Sequence, residues 1–149
     1  MPGPDTPPES TSPSPITGQP MAPSVHDLLG IEMVEVTPER VVLRLEVGWK
    51  SHQPAGLLHG GVSALLAESA ASIGAALNAP GRQVAGVELN ASHLRPMSAG
   101  TLTATATPVR IGRTMSVWEI ALADEGGRAI CAARCSVAVL DRPIDPPGS

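Results

Sequence analysis

The chain has 149 residues, a net charge of −4 and ten scattered basic residues, which argues against nucleic acid as its partner. The longest apolar run is broken by Glu68 and several serines and falls short of the ~18 residues of a membrane span. The four histidines and two cysteines lack the spacing of a metal site, so no metal and no cofactor is expected.

The two ends of the chain differ in composition from its middle. Half of the 16 prolines fall within the first 24 residues, which are also rich in Ser and Thr. We therefore expect a disordered leader over residues 1–23, a folded domain over residues 24–141 and a flexible tail over residues 142–149. The leader lacks the basic start and apolar core of a secretory signal and the arginines of a mitochondrial transit peptide.

The first half of the domain predicts two helices and a hairpin. The segment 24–30, SVHDLLG, has a Ser cap and a Gly stop and predicts a short helix. Two stretches that alternate apolar and polar residues, 31–36 and 40–47, flank a turn and predict a β-hairpin. A loop with Gly and Pro breakers covers 48–58, and one long helix follows over 60–78.

The second half changes to a period of two. Four strands are predicted, over residues 83–95, 101–110, 115–123 and 128–140. The long helix is apolar nearly all round, so we expect an antiparallel sheet that covers it on every side. The free edge of that sheet suits pairing with a second subunit.

The two cysteines lie four residues apart in the last predicted strand. This spacing separates Cys131 from Cys135 by ~13 Å, too far for a disulfide. They are expected to be reduced and buried, as in a cytoplasmic protein.

One acid stands in the most apolar helix of the chain. Between Lys50 and Arg82, Glu68 is the one side chain with a formal charge. Its helical neighbours are uncharged, which predicts a buried carboxylate with a raised pKa rather than an ordinary solvent-exposed Glu. Ser72, one turn later, is placed to donate a hydrogen bond to it. Perturbed carboxylates cluster at active sites, so Glu68 is a candidate catalytic base or nucleophile.

The start of this helix offers hydrogen-bond donors. Gly60 and Gly61 bring bare backbone N–H groups to the positive end of the helix dipole, where an oxyanion can bind. Gln53 is a candidate donor to a water or to a substrate carbonyl. His59 either does the same or caps the turn. Together with Glu68, these groups are the parts of an acyl-transfer site.

At this point a resemblance is evident. The stretch QPAGLLHGGVSALLAESAASIGAAL followed by VAGVELNASHLRP resembles the hotdog-fold acyl-CoA thioesterases. The similarity is to the branch of the Arthrobacter-type 4-hydroxybenzoyl-CoA thioesterase and 1,4-dihydroxy-2-naphthoyl-CoA thioesterase, over residues 24–140. It implies an α+β hotdog fold, a curved antiparallel sheet around one long helix. It also implies a homodimer or homotetramer with active sites shared between two chains.

The resemblance implies roles for individual residues. Glu68 takes the place of the catalytic carboxylate, as nucleophile or as general base. Gly60 takes that of the glycine whose N–H polarises the thioester carbonyl. Gln53 and His59 match the polar pair near the thioester, and Ser72 matches the Thr or Ser that supports the carboxylate.

A second set is implied to bind the substrate and its coenzyme A arm: Gly61, His93, Arg95, Arg113, Thr114 and Ser116. The acyl group is expected to be aromatic or of medium chain length, an expectation that rests on the family branch. The chain has no Phe or Tyr. Trp49 precedes the candidate loop and is a candidate border of the acyl pocket, whereas Trp118 is expected to be structural.

Two alternatives to a thioester hydrolase (EC 3.1.2.-) stay open. A hotdog hydratase or dehydratase usually needs a His with an Asp or Glu that moves a proton from carbon. A non-catalytic acyl-CoA-binding protein of the same fold would be expected to lack the acid or to carry a DNA-binding segment, and neither feature is present here.

Overall fold

A computed structural model describes residues 13–141. The predicted tail over residues 142–149 and the first twelve residues of the predicted leader lie outside the described residues. From Pro13 to Pro20 the chain forms a local turn, in which the Ser14 N–H donates to the Gln19 carbonyl at 2.8 Å. Gly18 has a φ of 69°, the left-handed conformation that allows this turn. The leader over residues 1–23 and the domain boundaries stay predictions.

The first helix and the hairpin form where the sequence predicts them. Ser24 caps helix α1 (Val25–Leu29), and Gly30 ends it with a φ of 68°. Strands β1 (Glu32–Val36) and β2 (Val41–Val47) pair antiparallel. A 3₁₀ turn at Trp49–Ser51 interrupts the predicted loop.

One long helix and four strands complete the fold. Helix α2 spans Gly60–Leu77. The strands that follow it are β3 (Gln83–His93), β4 (Gly100–Ile111), β5 (Met115–Ala123) and β6 (Ala129–Leu140). All strands join one antiparallel sheet in the order β1-β2-β4-β5-β6-β3, and α2 contacts β2 through β6. The predicted architecture, one antiparallel sheet against one long helix, is confirmed.

Side-chain alternation directs one face of the sheet toward α2. On β4, Leu102, Ala104 and Ala106 are fully buried while the intervening threonines lie on the other face. Trp118 on β5 is fully buried and packs on Gly74 of α2, where an added Cβ would lie 2.7 Å from its Cζ3. The structural role predicted for Trp118 is therefore confirmed.

The sheet covers α2 on one side only. Leu66, Ala67, Ala70 and Ala71 are fully buried, whereas Glu68 on the opposite side is exposed. The prediction of a helix covered on every side is therefore wrong for the single chain. With 18 residues and a mean hydropathy of 1.3, α2 is also long and apolar enough to cross a membrane, by length and composition alone. Its packing against five strands accounts for that apolarity.

Strand β3 forms an open edge of the sheet. It pairs with β6 on one side, and among the described strands none pairs with its other side. A β-bulge between Gly86 and Glu88 projects Val87, which is 55% exposed. A long exposed edge of this kind is a template for pairing with another strand.

Candidate active site

The loop before α2 is fixed by backbone hydrogen bonds. The His59 N–H donates to the Ser51 carbonyl at 2.8 Å, and the Leu58 N–H donates to the Met97 carbonyl at 2.7 Å. The first bond closes the loop on itself and the second joins it to the β3–β4 connection, so the start of α2 has a defined position.

His59 is the N-cap of α2. Its Nδ1 accepts a hydrogen bond from the Gly61 N–H at 2.8 Å. Of the two roles open for His59, the structure therefore shows the cap. Gly61 needs a correction for the same reason, because the N–H expected to be bare is already bonded to the His59 ring.

Gly60 keeps the free donor at the helix start. The N–H groups of Val62 and Ser63 both donate to the His59 carbonyl, at 2.9 and 3.4 Å. Among residues 13–141, the structure gives no acceptor for the Gly60 N–H. This group lies at the positive end of the α2 dipole and is available to a carbonyl or oxyanion.

Gln53 supplies a second donor beside Gly60. Its Oε1 accepts a hydrogen bond from the Ala55 N–H at 2.5 Å, which leaves the side-chain NH₂ group free to donate. Gln53 and Gly60 line one cavity of about 320 Å³ together with Ser63, Met97 and Ile130. The two donors therefore open into a common space.

His93 and Arg95, which are expected to bind the coenzyme A arm, both line this cavity. A Cβ added to Gly60 would lie 2.7 Å from His93 Nε2, so the end of β3 covers the start of α2. A larger residue at position 60 would require the His93 ring to move. Arg95 also lines the cavity, and its Nη1 donates to the Ala129 carbonyl at 2.8 Å.

Glu68 opens into a different cavity, of about 550 Å³, on the uncovered side of α2. Glu68 points away from the helix face that packs on the sheet and is exposed, so the prediction of a buried acid is wrong for the single chain. The carboxylate lies against Gly86 of β3, where an added Cβ would be 2.5 Å from Glu68 Oε1. The bulge at Val87 follows directly, as is common beside active sites.

Ser72 lines the same cavity as Glu68, but no hydrogen bond joins the two side chains in the part of the chain that the structure describes. On the β6 side, burial and then the charges of Glu68 and Glu88 raise the pKa of the Cys135 thiol to about 11. Cys131 and Cys135 are both free and buried, as predicted.

Sequence reasoning missed His26, which α1 places in the Glu68 cavity. Its Nε2 is hydrogen-bonded to Ser69 Oγ of α2 at 2.8 Å. Burial lowers the pKa of His26, and the nearby Asp27 carboxylate partly offsets this shift. A neutral imidazole therefore stands in the cavity that also contains Glu68.

The two cavities are separate within one chain. Glu68 follows Gly60 by eight residues of α2, which corresponds to about 12 Å along the helix axis. The Gly60 N–H and the Glu68 carboxylate of the same chain are therefore too far apart to act on one carbonyl group.

The expected coenzyme A residues are also divided. Arg113 and Thr114 form the exposed β4–β5 turn, where the Arg113 carbonyl accepts a hydrogen bond from Arg82 at 2.9 Å. The β5–β6 and β3–β6 registers put this turn roughly 24 Å from His93. Ser116 needs a correction, since it is 2% exposed and accepts a hydrogen bond from Trp118 Nε1 at 3.0 Å.

Comparisons with known proteins agree with this fold. A family model described as the thioesterase superfamily matches residues 55–131. A Listeria monocytogenes protein named 1,4-dihydroxy-2-naphthoyl-CoA hydrolase is 49% identical over 116 residues, which is 77% of this chain and 94% of that protein.

Solved structures give the same result. A thioesterase from Haemophilus influenzae superposes with a TM-score of 0.73 at 36% identity, covering 78% of this chain and 82% of its own. A mutant thioesterase from Pseudomonas aeruginosa superposes with a TM-score of 0.74 at 39% identity, covering 78% and 86%. The expected hotdog fold and the expected enzyme class, a thioester hydrolase, are confirmed, and the chain belongs to the thioesterase superfamily.

Proposed function

We propose that this chain hydrolyses the thioester of an acyl-CoA in a site built by two protomers. Gly60 and Gln53 of one protomer bind the thioester carbonyl, and the partner's Glu68 supplies the carboxylate. The observation that carries this proposal is the division of the catalytic groups between two cavities of one chain, beside an unpaired edge strand.

Pairing of β3 with the β3 of a second protomer would bring the two groups of catalytic residues together. A two-fold axis near the middle of β3 runs the two strands antiparallel, so the half of one strand that contains Gly86 approaches the half of the other that contains His93. Glu68 lies at Gly86, and the donors lie at His93. The partner's Glu68 then approaches the Gly60 cavity, and two equal sites result.

The antiparallel pairing of two β3 strands would also bring together the residues expected to bind coenzyme A. Arg113 and Thr114 are joined through Arg82 to the start of β3, whereas His93 and Arg95 are at its end. In an antiparallel pair, the start of one β3 lies beside the end of the other. One coenzyme A arm can then contact Arg95 of one protomer and Arg113 of the partner subunit.

The chemistry follows from these positions. The Gly60 N–H and the Gln53 NH₂ group donate to the carbonyl oxygen and stabilise the negative charge that develops there. The partner's Glu68 either attacks the carbonyl carbon, giving an anhydride that water hydrolyses, or takes a proton from the water that attacks. Both routes break the C–S bond and release the coenzyme A thiolate.

A thiol-release assay with aromatic, medium-chain and short acyl-CoAs tests this function. We expect the highest kcat/KM with an aromatic or medium-chain acyl group, in line with the name of the Listeria relative. Glu68→Gln should lower kcat by roughly two or more orders of magnitude. The matched control is Glu39→Gln, which changes an exposed acid in the β1–β2 turn. Unchanged turnover in Glu68→Gln would remove the proposed role, and binding without cleavage would favour an acyl-CoA-binding protein.

Mixing two inactive variants tests whether the site is shared. Gln53→Ala and Glu68→Gln each leave every site of a homodimer with one defect. A mixed dimer has one intact site and one doubly defective site, so random mixing should restore about a quarter of wild-type activity. No recovery after mixing and refolding would place both groups in the site of a single chain.

Assembly and location belong to the same proposal. Light scattering should give a homodimer or a homotetramer, because a monomer leaves the two cavities apart. The free, buried thiols of Cys131 and Cys135 support a reducing compartment, so we place the protein in the cytoplasm. Fractionation of the cells that make it, with antibody detection, would reveal a different location.

A further inference from the structure

Trp49 is the most exposed of the large apolar side chains that the structure describes. It is 81% exposed, whereas the other tryptophan, Trp118, is fully buried. The chain contains no Phe and no Tyr. Trp49 is therefore the only ring of these three types on which a planar ligand group can stack.

The turn that presents Trp49 is braced. Ser51 is 2% exposed, and its hydroxyl accepts from the Gly48 N–H at 3.1 Å and donates to the Gly48 carbonyl at 3.0 Å. The Ser51 N–H also donates to the Gly48 carbonyl, at 2.9 Å. The indole thus projects from a closed turn, which reduces the entropy lost when a ligand stacks on it.

The turn is attached to the rim of the Gly60 cavity. The Ser51 carbonyl accepts from the His59 N–H at 2.8 Å, and His52 Nε2 donates to the Ser98 carbonyl at 2.8 Å. Trp49 is four residues before Gln53, which lines that cavity. Trp49 is not among the residues that line the cavity, so the ring lies outside it on the same segment of chain.

A cation accompanies the ring. Lys50 Nζ lies over one face of the Trp49 ring, 5.8 Å from its centroid, so a ligand would stack on the opposite face. A flat π-surface next to an ammonium group matches a purine linked to phosphates, because the purine stacks on the ring and the phosphate attracts the cation. An acyl chain could pack on the Trp49 ring but has no charge to pair with Lys50.

We propose that Trp49 stacks on the adenine of the coenzyme A substrate, with Lys50 beside its phosphates. The inference rests on the proposed function and adds the recognition of the nucleotide end. In this proposal Trp49 binds the adenine, whereas Gly60 and Glu68 act on the thioester. Trp49 is a binding residue and contacts none of the reacting atoms.

Two substrates with the same acyl group test the inference. One is the acyl-CoA, and the other is the acyl-pantetheine, which has the thioester but no adenine. Trp49→Leu should raise KM for the acyl-CoA roughly 5- to 160-fold, the range for loss of one stacked base. It should leave kcat for both substrates, and KM for the acyl-pantetheine, unchanged. Trp49→Phe keeps a ring and should recover much of the lost affinity.

Fluorescence provides a readout that does not depend on turnover. The emission of Trp49 is the difference between the wild type and Trp49→Leu, since Trp118 is buried in both. Free coenzyme A should quench this emission and protect it from iodide, whereas pantetheine should do neither. If coenzyme A quenches the Trp49 emission but no acyl-CoA is hydrolysed, the proposed function is contradicted and the proposed stacking is supported.

Other outcomes overturn the stacking. An equal rise of KM for both substrates would place Trp49 at the pantetheine or acyl end. No change for either substrate would remove it from the substrate site. Protection of Trp49 from iodide in the ligand-free oligomer would show that a second protein chain covers the ring.

Discussion

The contact between Gly86 and Glu68 gives a test of the candidate carboxylate that leaves the carboxylate in place. The substitution Gly86→Ala adds a methyl group on β3 at 2.5 Å from Glu68 Oε1. Ordinary van der Waals contact begins at 3.4 Å, so the carboxylate has to move by about 1 Å. A misplacement of this size costs up to ~10²-fold in rate, so we expect kcat to fall roughly 10- to 100-fold.

The fold should tolerate the same change. Gly86 does not have a positive φ, and the atoms that the methyl group meets belong to the end of one flexible side chain. Alanine in a strand is about 0.5–1 kcal/mol more favourable than glycine, so stability should be kept or rise slightly. Kinetics with the best acyl-CoA and urea unfolding measure the two effects separately. Gly48→Ala is the matched control, because an added Cβ there meets nothing within 4 Å.

A double variant shows whether the loss depends on Glu68. In a Glu68→Gln background the catalytic carboxylate is already absent, so Gly86→Ala should cause little further loss. Full activity in the single Gly86→Ala variant would refute the catalytic position of Glu68 beside β3. An equal loss in both backgrounds would mean that the methyl group acts on something else, such as strand pairing.

Three further changes test the core, a buried histidine and the sheet edge. Gly74→Ala places a methyl group 2.7 Å from Cζ3 of Trp118, and overpacking of about 1–3 kcal/mol should exceed the ~1 kcal/mol gain in helix propensity. Urea unfolding should show a net loss for this variant. His26 has a lowered pKa when folded, so below its ordinary value of 6.5 the unfolded chain binds the extra proton first, and stability should fall as pH decreases through that range. His26→Gln should remove this part of the pH dependence of unfolding, and an identical pH profile would contradict the shift. Val87→Lys adds a charge to the bulge of β3 and should lower activity and oligomer size together, measured by thiol release and light scattering. A fully active Val87→Lys oligomer would argue against pairing through this edge.

The sequence predicts much of the fold because local signals agree with the global arrangement. The Ser24 cap and the Gly30 stop bound α1 as predicted. The alternation of threonines with Leu102, Ala104 and Ala106 identifies the buried face of β4. These signals depend on neighbours within a few residues, and the packed sheet adds to them without reversing them.

The predictions that failed concern which distant part of the chain covers or contacts a given residue. Apolar neighbours at helical spacing showed that the surroundings of Glu68 are apolar, but they do not specify whether a strand of the same chain lies over them. Ser116 shares its side of β5 with Trp118, and this period of two could have predicted its burial. His26 and Ser69 are 43 residues apart, so no local pattern could pair them. His93 lies at the Gly60 cavity because of the register in which β3 pairs with β6, and the sequence does not specify that register.

Glu68 is an exposed acid on an otherwise apolar helix, and the proposed pairing of β3 with a second copy would cover it. An isolated carboxylate on an apolar helix face gains solvation only while that face is open to water. When a second β3 covers the face, the carboxylate loses water and requires a compensating interaction. A positively charged partner would neutralise it, but the donors that the copy brings are the neutral Gly60 N–H and Gln53 NH₂ groups. In the proposed dimer these donors would bind an oxyanion on the substrate and not the acid itself, so Glu68 would face the thioester carbonyl. In the proposed dimer, the desolvation that the sequence predicted for Glu68 would arise from dimerisation, and activity should decrease on dilution as the pair dissociates.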